Sequence, residues 1–178
     1  MIYIETDEQY RNQVKANYEF SSWAGDVKEG DRDARLPELF VLPAGLENWR
    51  LEEQEEQPST NRQQRVVRYI YNSGREDEGS RVVSTIFNCN SVLEAHETLI
   101  DVVMTYMAPS LPRCETKGLE VGDICFGSHG EVNLSVIFAR FNVLVEIKNA
   151  GRKPVSVNEF ARSIDALILN QHRGIKNG

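Results

Sequence analysis

The sequence predicts an α+β fold, an antiparallel sheet with helices packed on one face, and three observations carry that expectation. Two runs rich in β-branched and aromatic residues, "RVVRYIYNS" and "SRVVSTIFNC", flank the polar, glycine-bounded "GREDEG" and read as a hairpin. Further on, Val143, Val145 and Ile147 alternate with Leu144, Glu146 and Lys148, so one strand face is wholly apolar and the other mostly polar. Two segments, "SVLEAHETLID" and "SVNEFARSID", echo each other, each opening with S-x-x-E and continuing with apolar residues at three- and four-residue spacing.

Along the chain, "MIYIE" reads as a short strand or a lead-in, and Thr6 with Gln9 makes a T-x-x-Q capping pattern. A helix over residues 7–23 follows, with Tyr10, Val14, Asn17 and Tyr18 near one face and Gly25 available to end it. Residues 25–65 are broken by Pro37, Pro43 and Pro58 and by Gly25, Gly30 and Gly45. Within them "ELFVL" is expected to be a strand, and the charged run "RLEEQEEQPSTNRQQR", which has no apolar face, is expected to be a solvated loop or mobile connector. After the hairpin comes the helix "SVLEAHETLIDVVMTYM", stopped by Pro109 and Pro112. Three strands, "GDICFG", "VNLSVIFAR" and "NVLVEIKN", precede the closing helix "SVNEFARSIDALILNQ". The last two strands need a tight reversal at residues 140–142, where Asn142 tolerates positive φ better than most residues.

The echo is architectural. In each capping box, Ser91 with Glu94 and Ser156 with Glu159, the serine oxygen accepts an amide hydrogen bond while the glutamate reaches back, worth roughly 1 kcal/mol of helix stability. Residues 65–108 and 133–171 make a candidate strand-strand-helix pseudo-repeat. At 178 residues the chain suits a single domain over 1–178, divided into an N-terminal helix region (1–25), an irregular connector (26–64) and a sheet-and-helix core (65–171).

A formal charge of −7 disfavours nucleic acid and anionic membrane as partners, since phosphate binding needs concentrated Lys and Arg. It suits a protein partner of basic character, and also plain solubility. No apolar run is long enough to span a membrane, and "MIYIETDEQY" lacks the look of a signal peptide. The chain as written is therefore expected to be cytoplasmic, or extracytoplasmic if a leader has been removed. Oligomeric state is not legible. Cys89, Cys114 and Cys125 are too few for a disulfide framework, though one bridge can form.

Candidate chemistry is sparse. "DICFGSHGE" gathers Asp123, Cys125, His129 and Glu131, where a thiol beside an imidazole could make a nucleophile or a metal ligand pair. The simpler reading is a buried structural cysteine beside a turn. His96 reads as a packed core histidine and His172 as a cation at a helix C-terminus. The carboxylate pairs Glu52–Glu53 and Glu55–Glu56 sit on no evident scaffold. No cofactor or metal is expected. The chain reads as a non-catalytic protein-binding module, of inhibitor, immunity or adaptor type, with Phe40, Trp49, Arg140 and Asn142 as candidate binding residues. The alternative is a small thiol- or metal-dependent enzyme at Cys125 and His129.

Gly122, Asp123, Arg140, Asn142, Val143, Val145, Ile164 and Asp165 carry a resemblance over residues 119–170. That stretch is similar to the C-terminal half of small uncharacterised bacterial domains, often extracytoplasmic, with a G-D strand, an R-x-N-V hairpin and a closing I-D-x-L helix. The resemblance implies an α+β fold and names no activity.

Overall fold

The computed structural model describes residues 7–23, 46, 48–57, 65–73, 79–106 and 110–176, with the side chains of 173–176 left aside. The "ELFVL" strand, Phe40, Thr6 and the "GREDEG" turn other than Gly79 lie outside the described residues. The described elements are helices α1 (Asp7–Asn17) and α2 (Phe20–Trp23), strands β1 (Trp49–Gln57), β2 (Arg65–Ser73) and β3 (Arg81–Asn88), and helix α3 (Val92–Thr105). A 3-10 turn (Cys114–Lys117), β4 (Ile124–Gly127), β5 (Ser135–Arg140), β6 (Val143–Asn149) and α4 (Asn158–Lys176) complete them. Among these residues no helix is long and apolar enough to cross a membrane.

The strands form one six-stranded sheet in the order β1-β2-β3-β6-β5-β4, and every neighbouring pair is antiparallel. The α+β class and the antiparallel sheet agree with the sequence pattern. The placement of helices on one face does not. Val136, Phe138, Val143, Val145 and Ile147 join one apolar cluster with Val157, just before α4, and Phe160, Ala161, Ile164 and Ile168 of α4. Ile137, Ala139 and Leu144, from the same strands but the opposite face, join a second cluster with Leu99, Ile100 and Val103 of α3 and Val14 of α1. Both faces of β5 and β6 are therefore buried, as continuous apolar runs such as "SVIFA" require. The polar tint of the Leu144–Glu146–Lys148 face disguised this, because Glu146 stays half-buried by pairing with Tyr106 at the end of α3 (2.7 Å).

The pseudo-repeat fails for the same reason. Each half is a three-strand meander followed by a helix, and β3 lies antiparallel to β6 at the centre. A two-fold axis normal to the sheet would relate such meanders and would keep both helices on one face. They lie on opposite faces, so the likeness of the two helices is local.

Their caps differ too. Ser91 Oγ accepts the Glu94 amide (3.1 Å), and the Glu94 carboxylate accepts the Asn90 amide (2.8 Å), a box displaced by one residue. At α4 the serine lies two residues before the helix, where Ser156 Oγ accepts only the Asn158 amide (3.3 Å). Glu159 turns outward to Arg162 (2.6 Å) instead of reaching back. The Val157 amide donates to the Asn133 carbonyl (3.0 Å), so a neighbouring loop does part of the capping.

Two further expectations are corrected. The single helix over 7–23 breaks after Asn17, since Glu19 takes the left-handed conformation (φ 54°) and the indole of Trp23 donates to the Tyr18 carbonyl (2.7 Å). The turn lets Tyr18 and Trp23 enter the same cluster as Phe126. The charged run 50–57, expected to be a loop inside an irregular connector, is most of β1, paired with β2 from Trp49 to Gln57. Its strand character comes from backbone hydrogen bonds to β2, while its middle seven side chains stand exposed on both faces. An edge strand with neither face covered shows no alternation to read.

The caps make a direct comparison. Ser91→Ala should lower unfolding free energy by about 1 kcal/mol, and Ser156→Ala by less than half as much. Urea denaturation of both variants measures the difference.

Candidate functional site

At the β5–β6 turn the chain reverses through Phe141 and Asn142, and the left-handed position falls on Phe141 (φ 54°), not on the more tolerant Asn142. Three contacts hold it there. The Asp123 carboxylate accepts the Phe141 amide (2.8 Å), the His172 ring stacks on the Phe141 ring at 4.2 Å, and Arg140 anchors the strand end. Arg140 makes a bidentate pair with Asp165 of α4 (Nε 2.7 Å, Nη2 2.8 Å) and reaches Asp123 through Nη1 (3.0 Å). The Asp165 side chain is only 8% exposed, so loss of either partner would strand a charge in a poorly solvated place. Hydrogen bonds from the guanidinium to Asp165, followed by the nearby Asp165 and Asp123 charges, raise the pKa of Arg140 against the opposing effect of burial.

Gly122 is required beside this clamp. It has φ of 69°, and a Cβ there would lie 2.7 Å from the Ala139 carbonyl oxygen and 2.9 Å from the Phe138 ring. Asn142 is buried and faces the other way. Its Nδ2 donates to the Cys89 carbonyl (2.8 Å) while its own carbonyl accepts the Cys89 amide (2.9 Å), tying the turn to the β3–α3 junction. Asp123, Arg140 and Asp165 thus form one network, and Asn142 is a brace behind it.

Trp49 lies elsewhere. It pairs with Ser73 at the end of the sheet where Arg81 pairs with Asn72, whereas Arg140 pairs with Val143 at the end marked by Asn88. Its ring packs edge-on against Phe160 (5.0 Å) and covers the end of the α4 core. The described candidate residues Trp49, Arg140 and Asn142 therefore form no common site.

The Cys125–His129 pairing does not form. Cys125 is bridged to Cys114, with both residues fully buried and their Cα atoms 5.4 Å apart. His129 is exposed and its Nε2 lies 2.9 Å from the Ser110 carbonyl. A sulfur held in a disulfide is neither a nucleophile nor a metal ligand. Among the described residues no group of three or more His, Cys, Asp or Glu side chains is arranged to hold a metal ion. The bridge ties the 3-10 turn to β4, and a loop this short restricts the unfolded chain by about 2–3 kcal/mol.

His96 is buried as the sequence suggested, but not satisfied. Its ring meets Trp23 edge-on (5.9 Å), and neither ring nitrogen has a hydrogen-bond partner. Burial lowers its pKa, with the charges of Asp123 and Glu97 acting in the opposite direction.

Sequence reasoning placed a contact surface on a sheet edge, an exposed sheet face or residues 36–60, but missed that residues 49–57 are themselves the edge strand. Leu51 is 40% exposed, and Glu53 and Glu55 project opposite Ile70 and Arg68 of β2. Glu52, the extra residue where the register slips between Leu51 and Glu53, pairs with Arg81 (3.0 Å), and Glu56 pairs with Arg65 (3.2 Å). The opposite edge, β4, is closed: Arg113 bridges to Phe126, and the Gly127 amide donates to the Pro112 carbonyl (2.9 Å). The only available signal for β1 was a twelve-residue stretch, 46–57, free of proline and glycine between Gly45 and Pro58.

No family model, curated protein or solved structure matches this chain.

Two outcomes follow from the buried groups. In protein unfolded without reductant, thiol titration should count one group per chain, Cys89, and three after reduction. Because the unfolded chain protonates His96 near its ordinary pKa of about 6.5 while the folded chain resists, the unfolded state binds more protons below that pH. Stability should fall as pH drops below about 6.5, and His96→Leu should flatten that slope in denaturation curves measured at successive pH values.

Proposed function

We propose that this protein is a non-catalytic protein-binding module, of inhibitor, immunity or adaptor type, which acts through its open sheet edge. The observation that carries this reading is β1, a nine-residue strand whose middle seven residues are exposed, whereas in the other five strands Arg65 alone is exposed. The side chains that could have served chemistry have structural duties instead. Cys125 is bridged, Arg140 is clamped between two aspartates, and Asn142 braces a turn. The acidity of the chain favours a basic partner.

The buried Cys114–Cys125 bridge favours an oxidising compartment, since such bonds persist outside the reducing cytosol. This supports an extracytoplasmic location over a cytoplasmic one.

Affinity capture from concentrated native extract with short crosslinking should yield one stoichiometric protein, and the purified complex should slow hydrogen exchange at the amides of β1. A chain that remains partnerless and elutes as a monomer at every concentration would sink the reading.

A further inference from the structure

The two edges of the sheet differ in a way that specifies what β1 can accept. At β4 the outer backbone groups meet residues 112 and 113. At β1 the order of the sheet leaves one side of the strand without a neighbour among the described residues, and the chain there is exposed. An unpaired strand edge offers a ladder of amide donors and carbonyl acceptors to any extended chain that can approach.

Side chains decide which chain that is. Past the bulge, residues 53–57 run in regular register with β2. Glu53 and Glu55 project on the same side, two residues apart, and neither has an ion-pair partner among the described residues, unlike Glu52 and Glu56. On the other side stand Gln54 and, before the bulge, Leu51. A second copy of this strand would bring carboxylates against carboxylates, which is destabilising for directly opposed like charges. A strand with Lys or Arg at alternate positions would face the Glu53–Glu55 side and gain attraction in place of repulsion.

We propose that β1 accepts an extended segment of another protein as a seventh strand, and that the segment carries basic residues at two alternate positions opposite Glu53 and Glu55. The proposal rests on the binding-module reading and names the chemistry of its partner. The bulge at Glu52 limits the added ladder to the Glu53–Gln57 half of the strand.

The test uses the full isotope-labelled chain and a capped heptapeptide that alternates valine with lysine. Nuclear magnetic resonance titration should shift the amides of residues 53–57, and a peptide with glutamate in place of lysine should bind at least tenfold more weakly. Two lysine peptides N-methylated at every second amide, one in each phase, separate strand pairing from simple charge attraction: at least one should lose tenfold or more. Glu53→Lys with Glu55→Lys, both at exposed positions, should reverse the peptide preference.

Undiminished binding by both methylated peptides, shifts confined to other parts of the molecule, or no shift at millimolar peptide would overturn the proposal. A natural partner whose complex survives the double substitution would also overturn it while leaving the binding-module reading intact. If capture yields no partner, it is that reading which falls, and the peptide titration still decides whether β1 accepts a basic strand.

Discussion

The antiparallel pairing of β3 with β6, continuous from Val82 opposite Asn149 to Asn88 opposite Val143, is the contact on which the rest of the molecule depends. It joins two meanders that are separated in sequence by a helix and a disulfide-bridged loop. Once they are joined, strand alternation sends Val143, Val145 and Ile147 to one side and Leu144 to the other, so two cores are defined at a stroke. Each core then needs its own helix. A slip of one residue in this register would exchange the two faces of β6 and place Glu146 beneath α4.

With the sheet set, polar groups lock its ends. Arg140 joins the end of β5 to α4 through Asp165 and to the approach of β4 through Asp123, while Asn142 joins the same turn to the start of α3. The turn therefore couples both helices to the sheet, which explains how a phenylalanine is held at a positive φ that a local preference would give to its neighbour. At the other end, Asn133 supplies its carbonyl to Val157 and its amide group to Asn158 (3.0 Å), and Lys117 donates to Asn133 (3.2 Å) and to the Ser128 carbonyl. These are the residues that a search for chemistry finds first, because buried polar side chains serve mechanism and architecture alike.

The edges divide the labour differently. Among the described residues, hydrogen bonding closes β4, whereas four glutamates and a bulge guard β1. Charge excludes copies of the same strand without excluding strands of opposite sign.

Much of the architecture was legible in the residues. β2, β3, β5 and β6 announce themselves by β-branched and aromatic runs, and α3 and α4 by apolar stripes, because each element carries at least one buried face whose period survives in the sequence. The burial of His96 was also legible, from its place near such a stripe. Tertiary structure alone decided which face each helix covers, which cysteines meet, that Arg140 finds Asp165 and Asp123, and that the acidic run 50–57 is a strand. The reason is common to all four: each depends on a neighbour brought near by long-range pairing, and a strand exposed on both faces records nothing of that neighbour in its own pattern.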